Sequence, residues 1–85
     1  MSSLSDYANS FSQSIGLTKR EREVFQSLVD KRQSHLVSYD LRVTNRTLKH
    51  YMTKIFEKAN VISRVELILK FADFIVAGIV EHDLD

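Results

Sequence analysis

Cysteine and proline are absent from this 85-residue chain, and glycine occurs only at 16 and 78. Without cysteine there is neither a disulfide framework nor a thiolate metal site. The three histidines, at 35, 50 and 82, are too scattered to form a local zinc motif. With no proline and so little glycine, the punctuation of β-hairpins is missing, which predicts an all-α chain. Long hydrophobic runs are lacking too. The longest uncharged apolar stretch of the C-terminal third, residues 74–80, is far too short to span a bilayer. The N-terminus shows no secretory pattern. A cytoplasmic protein with no membrane partner is the expectation.

A chain of this length makes one small domain. It buries only about 60% of its unfolded surface, so a second subunit is a common remedy for marginal stability. The formal charge is only +1, but it is unevenly spread. Residues 17–58 carry ten Lys and Arg against five acids, a net of +5; residues 59–85 carry two against five, a net of −3. Nucleic acid suits a basic middle of this kind. A solvated basic face has the same composition, so position has to decide.

Three stretches divide the chain. Residues 1–16 are serine-rich, yet Leu4, Tyr7, Ala8, Phe11 and Ile15 recur at helical spacing, and Ser3 with Asp6 resembles a capping pair. This is either a flexible arm or a short amphipathic helix, broken at Gly16. In residues 17–62, Thr18-x-x-Glu21 is a capping box that opens a helix reaching about Lys31, with Val24, Phe25, Leu28 and Val29 inward. A shorter helix over 34–41 turns Val37 and Leu41 inward, and Arg42-Val43 is a tight link. Thr44 then caps a helix over 44–59 whose apolar stripe is Leu48, Met52, Ile55, Phe56 and Ala59. Its opposite face carries Arg46, Lys49, His50, Thr53, Lys54 and Glu57, and Asn60 suits a left-handed stop.

Residues 63–85 begin with a second capping box, Ser63-x-x-Glu66, and twelve of the sixteen residues from 65 to 80 are apolar. One stripe, Val65, Ile68, Leu69, Ala72, Ile75, Val76 and Ile79, is adequate for the core. The other, Leu67, Phe71 and Phe74 toward Gly78, is expected to pair two copies as a homodimer. Alternatively, the N-terminal helix folds back over Phe71 and Phe74.

An eight-residue helix, a short link and a basic helix have the outline of a helix-turn-helix. The stretch LTKREREVFQSLV at 17–29 sharpens it, because it resembles the opening of the LuxR-type, or GerE-type, domain of bacterial transcription regulators. The likeness runs from residue 17 to about residue 69, through Val37, Leu41, the pattern V-T-x-x-T-L-K at 43–49, Lys58, Val61 and Ser63-Arg64. In compactness the chain looks most like the stand-alone regulators of that family.

The resemblance implies an all-α fold of four helices, to which an N-terminal helix is an addition, with a long C-terminal dimerisation helix. It implies a transcription regulator that inserts the helix at 44–59 into the major groove of double-stranded DNA as a homodimer, with half-sites about 10 bp apart. By position, Lys49, His50 and Thr53 would face bases. Thr44, Asn45, Arg46, Thr47, Tyr51, Lys54 and Lys58 would lie near phosphates. Lysine donates to guanine O6 and N7 and threonine meets a thymine methyl, whereas flanking hydroxyl and basic groups suit phosphate oxygens. No cofactor, metal or catalytic constellation is visible, so an enzyme is not expected.

The chain departs from the family pattern at Lys31, where glycine is usual, at Leu36, commonly acidic, at Tyr51, often histidine, and at Ala59-Asn60, often Leu-Gly. These departures motivate a different reading, in which a degenerate helix-turn-helix binds another regulator and inhibits it without reading DNA. RNA polymerase is a further protein partner compatible with such a domain.

Overall fold

The computed structural model describes residues 4–31 and 34–84, and the described residues form five α-helices. They are α1 (Leu4–Ser14), α2 (Lys19–Lys31), α3 (Ser34–Leu41), α4 (Asn45–Ala59) and α5 (Arg64–Leu84). The all-α expectation holds, and residues 4–14 are helical. Ser3 of the expected Ser3–Asp6 capping pair lies outside the described residues, as do the side chains of Lys31 and His82.

Local chemistry sets the helix starts. Glu21 Oε1 accepts from the Thr18 N–H at 2.9 Å, and Thr18 Oγ1 accepts from the Glu21 N–H at 3.3 Å, closing the first capping box. Thr44 is extended (φ −73°, ψ 160°), and its hydroxyl oxygen accepts from the Thr47 N–H at 3.1 Å. At the start of α5, Ser63 Oγ accepts from the Glu66 N–H, while Glu66 accepts from the N–H of Ile62.

Three helix ends share one design. After α1, α3 and α4 the chain turns through a left-handed residue, Gly16, Arg42 and Asn60 respectively. In each, that residue's N–H and the next one's reach back to carbonyls three and five residues earlier. Those are the paired bonds of a Schellman stop. The residue that follows is apolar each time: Leu17, Val43 and Val61 all pack on the core. Glycine and asparagine tolerate this conformation, but for arginine it costs about 1–2 kcal/mol. Strain therefore sits at Arg42, in the link between α3 and α4, while Lys31 is the last helical residue of α2.

The core joins all five helices. Ala8 and Phe11 of α1, Val24, Phe25 and Leu28 of α2, Val37 of α3, Leu48, Ile55 and Ala59 of α4, and Leu67 and Phe71 of α5 are buried together with Leu17. Phe11 is the hub of an aromatic cluster. Its ring centroid lies 5.4 Å from those of Phe25, Phe71 and Phe74, and Phe25 meets Phe71 edge-on at 5.2 Å.

This arrangement corrects the sequence reading of the last helix. Leu67 and Phe71, expected on a dimer face, lie inside the subunit, and Phe74 packs half-buried against Phe11. The fourth residue of that stripe, Gly78, faces the Tyr7 ring: a Cβ there would lie 3.6 Å from Tyr7 Cε1. Of the stripe expected to fill the core, Ile75 alone packs half-buried against it, while Val65, Ile68, Leu69, Ala72, Val76 and Ile79 are exposed. The cause is α1. By folding back it supplies Phe11 and Tyr7 to the phenylalanine side of α5, and burying aromatic rings removes more apolar area from water than burying valines and isoleucines.

Candidate nucleic-acid interface

Helix α4 is anchored through Leu48, Ile55 and Ala59, with Met52 and Phe56 half-buried beside them. Its other side is open. Thr44, Asn45, Arg46, Thr47, Lys49, His50, Thr53 and Lys54 are all exposed. The 3.6-residue period brings Arg46, Lys49, His50 and Thr53 to one outward face.

Several of these groups have prior commitments that limit what they can offer a ligand. Thr44 caps the helix and also donates to Thr47 Oγ1 at 3.0 Å. The Thr53 hydroxyl donates to the Lys49 carbonyl at 3.0 Å, one turn back. That bond uses its only donor and leaves its methyl and the oxygen's lone pairs available outside. Lys54 stands 4.0 Å from Glu57 in an exposed pair that holds it only loosely. Among the described residues, Arg46 and Lys49 enter no ion pair.

Two residues expected near phosphates are engaged inside the domain. Tyr51 is half-buried against the core, and its hydroxyl is near enough to the Arg20 guanidinium to add, after Glu23, to the rise of the arginine's pKa. The same guanidinium donates through Nη2 to the Leu41 carbonyl at 3.0 Å and through Nη1 to Glu23 at 2.8 Å. Arg20 thus ties α2 to the end of α3, with Tyr51 of α4 beside it. The Lys58 ammonium donates to Glu21 Oε1 at 2.6 Å. The pair is mostly shielded, with 8% of the Glu21 side chain and 33% of the Lys58 side chain exposed.

Capping is only part of what Glu21 does. Its carboxylate in fact joins the start of α2 to the last turn of α4 across 37 residues. Burial alone would raise its pKa. The Lys58 hydrogen bond, the Thr18 N–H and hydroxyl and the charge of Lys58 together outweigh burial and hold it below the ordinary glutamate value. A depressed carboxylate contributes stability above its unfolded pKa of about 4.3, and that contribution is lost as pH falls through the lower folded value. Lys58→Met strands the carboxylate, so urea unfolding at pH 7 should show a loss of about 2–3 kcal/mol, low for a buried pair because part of Lys58 reaches water. The gap from wild type should narrow as pH falls through the folded pKa of Glu21, because the carboxylate then becomes protonated in both forms. A gap unchanged across that range would contradict the role given to the pair.

Residues 16–71 match the family model of bacterial regulatory proteins of the luxR family. The chain belongs to that family. It is 37% identical over 57 residues to the probable transcriptional regulator ycf29 of Guillardia theta, covering 67% of this chain and 27% of that protein. It is 30% identical over 60 residues to the transcriptional regulatory protein DesR of Bacillus subtilis, covering 71% of this chain and 30% of that protein. The match thus spans less than a third of either relative. No solved structure matches the chain significantly. In this luxR-family domain the helix-turn-helix is α3, the link at 42–44 and α4, while α1 lies outside the matched residues and still shares the core. Among the described residues no helix is long and apolar enough to cross a membrane, and no His, Asp and Glu side chains gather as a metal site.

Proposed function

We propose that this chain is a DNA-binding transcription regulator that lays α4 in the major groove. The observation that carries the reading is the two-sidedness of α4: one side is anchored in the core and the other is exposed, basic and rich in short hydroxyl groups. Lys49, His50 and Thr53 read bases. Arg46, Asn45, Thr47 and Lys54 meet phosphates, and the cap residue Thr44 sets the height of the helix in the groove. Lys58 and Tyr51 act from behind, fixing the tilt of α4 through Glu21 and Arg20. Selection of duplexes from a random pool tests the proposal: an enriched motif whose preference flattens in Lys49→Ala supports it, whereas a pool left unenriched by the folded protein sinks it.

The regulator acts as a homodimer through the outward stripe of α5. Val65, Leu69, Ala72, Val76 and Ile79 are spaced four and three residues apart in alternation, the repeat of a two-helix seam. They run about 21 Å along the helix, and Leu69 and Val76 are more than half exposed. Such a stripe on a monomer calls for a partner. Leu69→Glu should give a folded monomer by analytical ultracentrifugation, where wild type sediments as a dimer. A monomeric wild type at tens of micromolar would remove the dimer from the account.

A second reading is favoured by α3, whose outer face exposes Leu36 and Tyr39. Apolar and aromatic groups on a scaffold helix suit another regulator or RNA polymerase. In the inhibitor form of this reading, the protein docks there and reads no DNA.

A further inference from the structure

We propose that Arg42 is an additional phosphate-contacting residue of the DNA interface, which rests on the DNA-binding reading above. The three Schellman stops make the case by contrast. Two of them use Gly16 and Asn60, residues suited to a left-handed turn, and the third uses arginine at φ 56°. A strained non-glycine residue persists where the surroundings and a functional need hold it.

Among the described residues, nothing accounts for the arginine. Its side chain is exposed and, among the described residues, forms no hydrogen bond or ion pair. A cation at a helix C-terminus can serve the last carbonyls, but here Arg20 already donates to the Leu41 carbonyl at 3.0 Å. The left-handed bend needs only the backbone bonds from Arg42 N–H to Tyr39 and from Val43 N–H to Ser38. Glycine would make both.

What the position does supply is a place. Arg42 stands two residues before the cap of α4 and four before Arg46. In helix-turn-helix docking the first helix crosses the DNA backbone while the second enters the groove, so the link between them passes beside phosphates. A guanidinium there offers two parallel N–H donors to phosphate oxygens. The sequence marks Arg42 only as a link residue; its left-handed backbone and unpaired charge bring it into the interface.

The test measures thermal midpoint and affinity for a random-sequence duplex at several salt concentrations, in wild type, Arg42→Gly and Arg42→Lys. Arg42→Gly should raise the midpoint by about 5 °C through relief of strain. It should also weaken binding about eightfold at 0.1 M salt and make the log–log salt slope shallower by about 0.9, the signature of one lost phosphate. Arg42→Lys should recover most of the slope without the gain in midpoint. Unchanged affinity and slope in Arg42→Gly would overturn the assignment, as would a lower midpoint, which would reveal a structural role for the side chain. A folded wild type that binds no duplex would overturn the DNA-binding reading itself, and this assignment with it.

Discussion

Phe11→Ala should cost about 3–5 kcal/mol of folding free energy, the usual penalty for emptying a buried phenylalanine site. Phe11 is 2% exposed, and its ring meets three other phenylalanines, from α2 and α5. Total stability for a chain of this length is about 4–13 kcal/mol, so the substitution consumes a large share of it. The lost volume lies where three helices converge, leaving little room for collapse onto the cavity. Urea denaturation followed by circular dichroism would measure the loss. Leu4→Ala, at the exposed start of the same helix, should stay within about 0.5 kcal/mol. Equal small losses at both positions would mean that α1 is an appendage and that Leu67, Phe71 and Phe74 do not depend on it for cover.

The second large effect concerns binding without folding. Lys49→Ala with Thr53→Ala should leave stability within about 0.5 kcal/mol, since both side chains are exposed and alanine is a good helix former. Thr53 gives up a hydrogen bond to its own helix, from its hydroxyl to the Lys49 carbonyl. That loss is small because such back-bonding adds little to a helix. Each base contact is worth about 1–3 kcal/mol of discrimination. Together the two changes should therefore lower affinity for the selected operator by about 100-fold or more while changing random-duplex affinity far less, as a competition titration would show. Equal losses on both duplexes would reassign Lys49 to phosphate. No loss on either would remove Lys49 and Thr53 from the interface.

Much of the local structure was legible because it depends on groups a few residues apart. Thr18 with Glu21, Thr44 with the first turn of α4, and Asn60 at its end each work through short-range bonds whose chemistry the sequence carries. The faces of α5 were not legible in the same way. Both stripes are apolar at helical period, and the choice depends on α1, more than fifty residues earlier, bringing Phe11 to one of them. Lys58 illustrates the same limit at the interface: its basic charge was plain, but its pairing with Glu21 arises only once α2 and α4 are packed together. Arg42 was hidden for another reason. A left-handed residue is normally announced by glycine or asparagine, and here the chain uses neither.

If the exposed face of α4 binds duplex DNA, the protein should bind a duplex of any sequence through its phosphates. Fluorescence anisotropy of the wild-type protein with a labelled random-sequence duplex, titrated at several salt concentrations, tests it most directly. Binding is expected at low salt, its logarithm falling linearly with the logarithm of salt concentration with a slope of about −0.9 for each phosphate neutralised. A folded protein that shows no binding even at the lowest salt would contradict it and leave the basic face as a solvated surface.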